Sequence, residues 1–284
     1  MGRSHECDNP EWVKTLPQCS EPAFDITVSS REIDSEVRRR IRCGEPLYNI
    51  DVELIRRLVP DLILTQSHCE VCAVTPGDVE RSGDCLASAR MLAVSASTVD
   101  EVFASITQIA EALDLRQRAR ELVECERAKL AALCARTRKF PRPAVAVLEW
   151  TDPVFPMSNW GPQLVDAANG ELALGNNGQH SSAIPSDQLR DADPEYLVIA
   201  PCGYNLERTR RELPVLENYP WWRELRAVRT GKVAFADGNL YFNRAGMTVV
   251  RTAEILTEIL HGLVTGQRSE GRDWCWLKDV VSAS

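Results

Sequence analysis

The sequence predicts an α/β protein of two similar lobes, each built on a parallel sheet and the two joined by one long helix. Three observations carry that expectation. Amphipathic helical stretches alternate with short apolar runs of strand length, the pattern of parallel sheets covered by helices. A segment free of Gly and Pro, Leu115 to Arg136, is rich in Ala, Leu, Glu and Arg and ends at K-F-P-R-P. An internal echo sets I-D-V-E-L-I-R-R-L-V-P-D-L-I-L (50–64) against I-P-S-D-Q-L-R-D-A-D-P-E-Y-L-V (184–198) at a constant offset.

In chain order, residues 46–65 read as a turn, an Asp-capped amphipathic helix carrying Val52, Leu54, Ile55 and Leu58, a stop at Pro60 and a buried strand Leu62 to Thr65. A second strand, Met91 to Val94, precedes a helix capped by Thr98, in which Val102, Ile106, Ile109 and Leu113 recur at helical spacing. At 1.5 Å rise per residue the 115–136 helix would be about 33 Å long, enough to span a domain. Prolines at 141 and 143 cannot continue it, so a new domain is expected to begin on the strand Ala144 to Trp150. Pro162 suits the first turn of the next helix, Tyr196 to Ala200 and Lys232 to Ala236 read as strands, and a terminal helix is expected over 248–261.

The echo pairs Ile55 with Leu189, Arg56 with Arg190, Pro60 with Pro194 and Asp61 with Glu195, each at the same point of a helix, proline, acidic residue, strand sequence. The resulting division is an N-terminal lobe over 1–114, a connecting helix over 115–139, a C-terminal lobe over 140–265 and a tail over 266–284.

Composition narrows the function. The chain has 284 residues, 44% hydrophobic and 26% charged, enough for a core that needs no metal or disulfide staple. A net charge of −8 argues against nucleic acid as a partner. No apolar run of about 18 residues predicts a membrane span, and residues 1–8 have no apolar signal-peptide core. Ten cysteines at irregular spacing read as reduced thiols, which with the polar N-terminus suggests a cytoplasmic protein. There is no G-x-S-x-G, no G-x-x-x-x-G-K-[ST] and no G-x-G-x-x-G, so acyl transfer and nucleotide binding by glycine loops are not supported. A binding protein that is not an enzyme and requires no cofactor fits better.

Parallel sheets bind ligands beyond the carboxyl ends of their strands. In the second lobe those loops hold Trp150, Phe155, Trp160, Tyr204, Tyr241 and Phe242, the lining expected for a large flat or partly apolar ligand. In the first lobe the equivalent loop, Q-S-H-C-E-V-C-A-V-T-P-G (66–77), packs His68, Cys69, Glu70 and Cys72 together. That loop can be read as a C-x-x-C redox pair, as a metal site of Cys69, Cys72 and His68, as a ligand-contacting loop joined by His5 and Cys7, or as small apolar packing.

Four stretches, S-H-E-C-D-N-P (4–10), L-Y-N-I-D through C-E-V-C-A-V (47–74), E-W-T-D-P-V-F-P-M-S-N-W-G-P (149–162) and D-G-N-L-Y-F-N-R-A-G (237–246), resemble the substrate-binding proteins of cobalamin and iron-siderophore ABC importers. The likeness is to the cobalamin-binding-protein-like branch with a C-E-V-C loop. It implies the class III periplasmic binding protein fold, two Rossmann-like lobes joined by a single rigid helix, and binding of a corrinoid or other metal chelate such as a siderophore for delivery to an importer permease. The alternative is a thiol-dependent metal-binding or redox protein acting through Cys69 and Cys72.

Carried over by position, the resemblance implies a cleft formed by Ser4, His5, Glu6, Gln66, His68, Cys69, Glu70 and Cys72 from the first lobe. The second lobe would add Trp150, Asp152, Phe155, Trp160, Tyr204, Asn205, Asn239, Tyr241 and Asn243. It implies a monomer, with Glu70 or Glu80 and Glu207 as candidates for docking onto the permease. Family members open with a strand and helix that have no counterpart here, so the natural chain is expected to extend upstream of Met1, in which case the alternative to a cytoplasmic protein is a periplasmic or extracytoplasmic one.

Overall fold

The protein is described by a computed structural model covering residues 1–67, 74–81 and 89–282. It divides into two compact units, Met1–Ser95 and Ala96–Ser284.

The first unit contains β1 (Ser20–Pro22), α1 (Ser30–Cys43), β2 (Tyr48–Ile50), α2 (Val52–Leu58), β3 (Leu62–Gln66), α3 (Pro76–Arg81) and β4 (Arg90–Val94). Helix α1 was not among the expected elements, although its start is written as S-x-x-E. The Ser29 side chain accepts from the Glu32 backbone N–H while Glu32 reaches back to the Ser29 N–H, a reciprocal cap. Glu36 is flanked by Arg39 and Arg40 at 2.8 Å each, and these partners hold its carboxyl down at about 2. Strand β1 pairs antiparallel with β2, and β3 pairs parallel with β4 from Leu62↔Arg90 to Gln66↔Val94. This unit thus holds one antiparallel and one parallel two-stranded sheet, where only parallel pairing was expected.

Helix α2 starts as its sequence dictates, with the Asp51 carboxylate accepting from Leu54 N–H at 2.8 Å. It ends on Val59 in the left-handed region, φ 45° and ψ 61°. The echo repeats that ending: in the second unit a helix over Ser186–Ala192 stops on Asp193, also left-handed at φ 36°. In both copies the next residue is proline, Pro60 and Pro194, and a strand follows two residues later.

The second unit continues with α4 (Val99–Ala112), α5 (Arg116–Thr137), β5 (Ala144–Trp150), β6 (Phe155–Pro156), α6 (Gly161–Ala167), β7 (Glu171–Leu172), α7 (Ser186–Ala192) and β8 (Tyr196–Ile199). Then come α8 (Leu206–Arg210), α9 (Leu213–Glu217), α10 (Arg226–Arg229), β9 (Val233–Ala236), α11 (Val249–His261), β10 (Trp274–Trp276) and α12 (Leu277–Val281). Strands β9, β8 and β5 run parallel in that order, β7 extends β5 in parallel, and β6 and β10 are antiparallel.

Alternation along β5 divides the core. Val145 and Val147 face a cluster with Phe103 of α4, Leu133 of α5, Leu164 of α6 and Leu256 of α11, whereas Ala146 and Leu148 face Leu189 of α7, Leu216 of α9, Trp222 and Phe235. Helices therefore cover both faces, and β5 and β8 are buried along nearly their whole length, which is why they read as continuous apolar runs.

Helices α4 and α5 belong to this second compact unit. The 22-residue α5 lies within one residue of its expected bounds at each end, and Phe103, 1% exposed, packs beside it under the Arg127 guanidinium at 4.8 Å. The residues expected as a tail form a structured edge. Trp274 and Cys275 are each 2% exposed, and β10 pairs Trp274↔Ala236 and Trp276↔Ala234 against β9. Burying a side chain as large as Trp274 contributes roughly 3 kcal/mol, so this segment is held by the core and does not trail from it.

Candidate functional site

The chain leaves β5 for β7 on one side and returns through α7 to β8 on the other. The carboxyl ends of β5 and β8 are therefore the position at which a parallel sheet of this topology takes ligands. Trp150 ends β5, Tyr204 lies in the loop after β8, and their rings meet at 5.3 Å between centroids with a 54° tilt. Arg208 lies one helical turn beyond Tyr204, its guanidinium 4.8 Å from the ring centre and Nη2 3.5 Å from the hydroxyl. Burial pushes the Tyr204 hydroxyl above its ordinary value, with the Arg208 contact pulling the other way.

The loop after β9 is bound to the one after β8. The Tyr204 carbonyl accepts from Gly238 N–H at 2.9 Å and from Asn239 N–H at 3.0 Å. Asn243 donates to the Ala200 and Gly238 carbonyls at 2.8 and 3.0 Å. A Cβ on Gly238 would lie 2.2 Å from the Pro201 carbonyl oxygen, so only glycine admits this approach. Residues Gly238–Phe242 form a π-helical turn, capped by the Asp237 carboxylate accepting from Leu240 N–H at 2.7 Å. Burial raises the Asp237 carboxyl above its ordinary 3.8, against the pull of the Leu240 and Asn239 N–H groups. Arg244 donates to the Asn239 side-chain oxygen at 2.9 Å.

The loop after β5 is anchored from below. Buried Thr151 donates its hydroxyl to buried Glu212, and Tyr219 donates to the Thr151 carbonyl at 2.9 Å. Asp152 and Phe155 are half-buried beside it.

The sequence-predicted residues of this unit thus take different places. Trp150 ends β5, Asp152, Tyr204 and Asn239 follow the carboxyl ends of β5, β8 and β9, and Phe155 lies in β6, which returns along β5. Trp160, 5% exposed, and Tyr241, 9% exposed, pack into the core. Asn205 caps α8 by accepting from Arg208 N–H at 2.9 Å, and Asn243 ties two loops together, so both amides are engaged in holding the frame. The sequence reading passed over Arg208, Arg244, Thr151 and Glu212. Arg208, four residues after Tyr204 on a helix, carried a spacing signal; Thr151 and Glu212 meet only through the fold.

In the first unit His5 is half-buried, with its ring 5.1 Å from Tyr48, Nδ1 3.1 Å from the Ser20 hydroxyl and Nε2 3.6 Å from Glu6. Burial, then repulsion by Arg3, lowers its pKa, which favours a neutral imidazole. Ser4 bonds to Cys7 at 3.4 Å, and Gln66 is exposed at the end of β3. His68, Cys69, Glu70 and Cys72 lie outside the described residues, as does Glu70's proposed docking role. Among the described residues no group of three His, Cys, Asp or Glu is placed to hold a metal ion, and the described cysteines are free thiols. An open cavity of about 640 Å³ lies among α4, α5 and α6, lined by Phe103, Arg127, Leu130, Cys134 and Gln163. None of the sequence-predicted site residues lines it.

A family model described as periplasmic binding protein matches residues 45–240. The chain belongs to that family. It is a substrate-binding protein of the ABC-importer type, and it binds without catalysing a reaction. The expectation of a cytoplasmic protein is overturned by this membership, since the family is periplasmic. That expectation rested on unpaired cysteines and a polar start, and neither reports the compartment: buried thiols such as Cys275 stay unpaired wherever no partner is within bonding geometry.

Among solved structures, a periplasmic heme binding protein from Pseudomonas aeruginosa superposes with a TM-score of 0.70 at 17% identity, over 97% of this chain and 88% of that one. An ABC transporter substrate-binding protein from Listeria monocytogenes gives 0.63 at 19%, over 84% and 97%. A periplasmic vitamin B12 binding protein of Vibrio cholerae gives 0.60 at 14%, over 90% and 86%. At such identities the likeness shows the fold alone. No curated protein matches in sequence. None of the described helices is long and apolar enough to cross a membrane.

Proposed function

We propose that this substrate-binding protein captures a flat, partly apolar metal chelate, a corrinoid, porphyrin or siderophore complex, at the carboxyl edge of the β5–β8–β9 sheet and delivers it to an ABC importer permease. The observation that carries the reading is the Trp150–Tyr204 pair at the carboxyl ends of β5 and β8, with Arg208 on the Tyr204 ring and Asn239 and Arg244 on the adjoining loop. Aromatic faces supply contact area, and a few fixed polar groups set orientation. The relatives that bind heme and vitamin B12 support the chelate class. The family resemblance adds Ser4, His5, Glu6 and the 66–72 loop to the same proposal, with α5 as the connecting helix.

The test is a titration of the full chain with cyanocobalamin, hemin, ferrichrome and zinc, followed by tryptophan fluorescence. A chelate should quench saturably, Trp150→Ala should weaken its binding about tenfold, and binding should survive Cys69→Ser and Cys72→Ser. Binding of zinc alone, lost in either cysteine variant, would overturn the chelate reading in favour of a thiol metal site.

A further inference from the structure

The turn that follows β5 is held from beneath by a run of buried hydrogen bonds. Glu212, 2% exposed and immediately before α9, accepts the Thr151 hydroxyl, and Thr151 is itself fully buried. On its other side Glu212 donates its N–H to the Thr209 carbonyl at 3.0 Å. Buried Thr209 of α8 in turn donates its hydroxyl to the Tyr204 carbonyl at 3.4 Å. Tyr219 closes the run by donating to the Thr151 carbonyl at 2.9 Å. Glu212 therefore links the residue next to Trp150 with the residue that carries the Tyr204 ring.

Trp150 lies where the strand itself is irregular. The β5–β6 ladder shifts register between Leu148 and Trp150, and a bulge of this kind re-aims the side chain beside it. Toward β8 the strand is fixed by backbone bonds, with Ala200 N–H on the Leu148 carbonyl and Cys202 N–H on the Glu149 carbonyl at 2.9 Å each. Beyond Trp150, the Thr151 side chain and carbonyl are gripped by Glu212 and Tyr219. A turn held by packing alone could carry an apolar pair at 151 and 212, since a carboxylate taken out of water is costly unless donors meet it. A satisfied polar contact fixes one geometry where apolar contact would tolerate several.

We propose that Glu212 is a positioning residue for ligand binding: its carboxylate holds Thr151 and through it sets the Trp150 ring against Tyr204. Glu212 acts through Thr151 and is itself too buried to touch a ligand at the strand ends. The inference rests on the chelate-binding reading above, in which the Trp150–Tyr204 pair, 5.3 Å between centroids, supplies the contact face. A turn free to shift would present that face in several arrangements, and affinity would fall by the fraction of molecules that hold the binding one.

The experiment measures affinity and melting temperature together in the full chain for Thr151→Val, Glu212→Met, the double variant and Thr151→Ser, with hemin, cyanocobalamin and ferrichrome as probes. Each single apolar variant leaves a buried polar partner unmet and should lose stability, whereas the double variant replaces both partners at similar volume and should melt near the unsubstituted chain. Affinity should not follow that recovery. The double variant is expected to bind about tenfold more weakly, as when a tenth of the molecules hold Trp150 in place. Thr151→Ser keeps the hydroxyl and should bind within about threefold of the unsubstituted chain. A double variant that binds as tightly as the unsubstituted chain, a Thr151→Ser variant as weak as the double, or Kd values that move only where the melting temperature falls would overturn the positioning role and leave the chelate reading standing. No binding of any probe by the unsubstituted chain would overturn both. If a single apolar variant does not fold, the double variant and Thr151→Ser still decide.

Discussion

Gly238→Ala tests whether the two ligand-edge loops are as close as the structure places them. The new Cβ would lie 2.2 Å from the Pro201 oxygen and 2.5 Å from the Ala200 oxygen. Carbon and carbonyl oxygen rest at about 3.3 Å, so the loops must part by roughly 1 Å. The gap is bridged by Gly238 and Asn239 N–H to the Tyr204 carbonyl at 2.9 and 3.0 Å and by Asn243 to the Ala200 carbonyl at 2.8 Å. Opening it by that amount breaks these bonds, at about 1 kcal/mol each; keeping them means overpacking of similar cost, about 1–3 kcal/mol. The expected destabilisation is about 3 kcal/mol, a fall in Tm of about 6–12 °C for a unit of this size. Calorimetry reads the stability and tryptophan quenching reads the affinity, which should fall about tenfold or more because the same bonds set the Tyr204 and Asn239 loops. A melting temperature within about 2 °C of the parent, together with an unchanged Kd, would refute the close approach and the placement of the site beside it.

Two further outcomes follow from backbone and charge. Val59 is β-branched, left-handed at φ 45°, and 76% exposed, so its side chain contributes little packing while its backbone is strained. Relief of roughly 1–2 kcal/mol, less the larger unfolded-state entropy of glycine, gives a gain of about 0.5–1 kcal/mol for Val59→Gly in denaturant unfolding; a loss of stability would mean that the left-handed C-cap is not adopted. Asp237→Asn keeps the cap on Leu240 but removes a half-buried charge. Because burial raises the folded-state pKa above the ordinary 3.8, the aspartate opposes folding once pH exceeds that raised value and has no such effect below 3.8, where it is neutral folded and unfolded alike. The variant should therefore be the more stable at pH 7, with the difference disappearing on acidification through that window. A difference independent of pH in urea titrations would refute the assignment.

Local signals were legible wherever a residue's type decides its own backbone. Asp51 and Thr98 announced helix starts and accept the N–H bonds their positions demand. The Gly- and Pro-free stretch gave α5 nearly to the residue. The echo proved deeper than side-chain similarity, because the left-handed C-caps at Val59 and Asp193 fall on equivalent positions that sequence patterns do not reveal. Strand β10 escaped notice because W-C-W is too short for periodicity and becomes a strand only against the free edge of β9. For the same reason a tail was expected where a core edge exists. Among the aromatic residues expected after strands, Trp160 and Tyr241 belong to the core, while Arg208 and Arg244, which local patterns did not single out, contact Tyr204 and Asn239.

By itself the sequence determined the α/β class, the principal elements of the second unit (α4, α5, β5, β8, β9 and α11), and a binding role without catalytic motifs, since each depends on composition, caps and short-range periodicity. Tertiary structure decided how the loops after β8 and β9 are tied together, that Gly238 must be glycine, and that Asp237 N–H meets the distant Asp273 carbonyl. Those facts depend on which strands lie side by side, and strand order is fixed by packing of both sheet faces at once, a long-range condition that no local stretch of residues encodes.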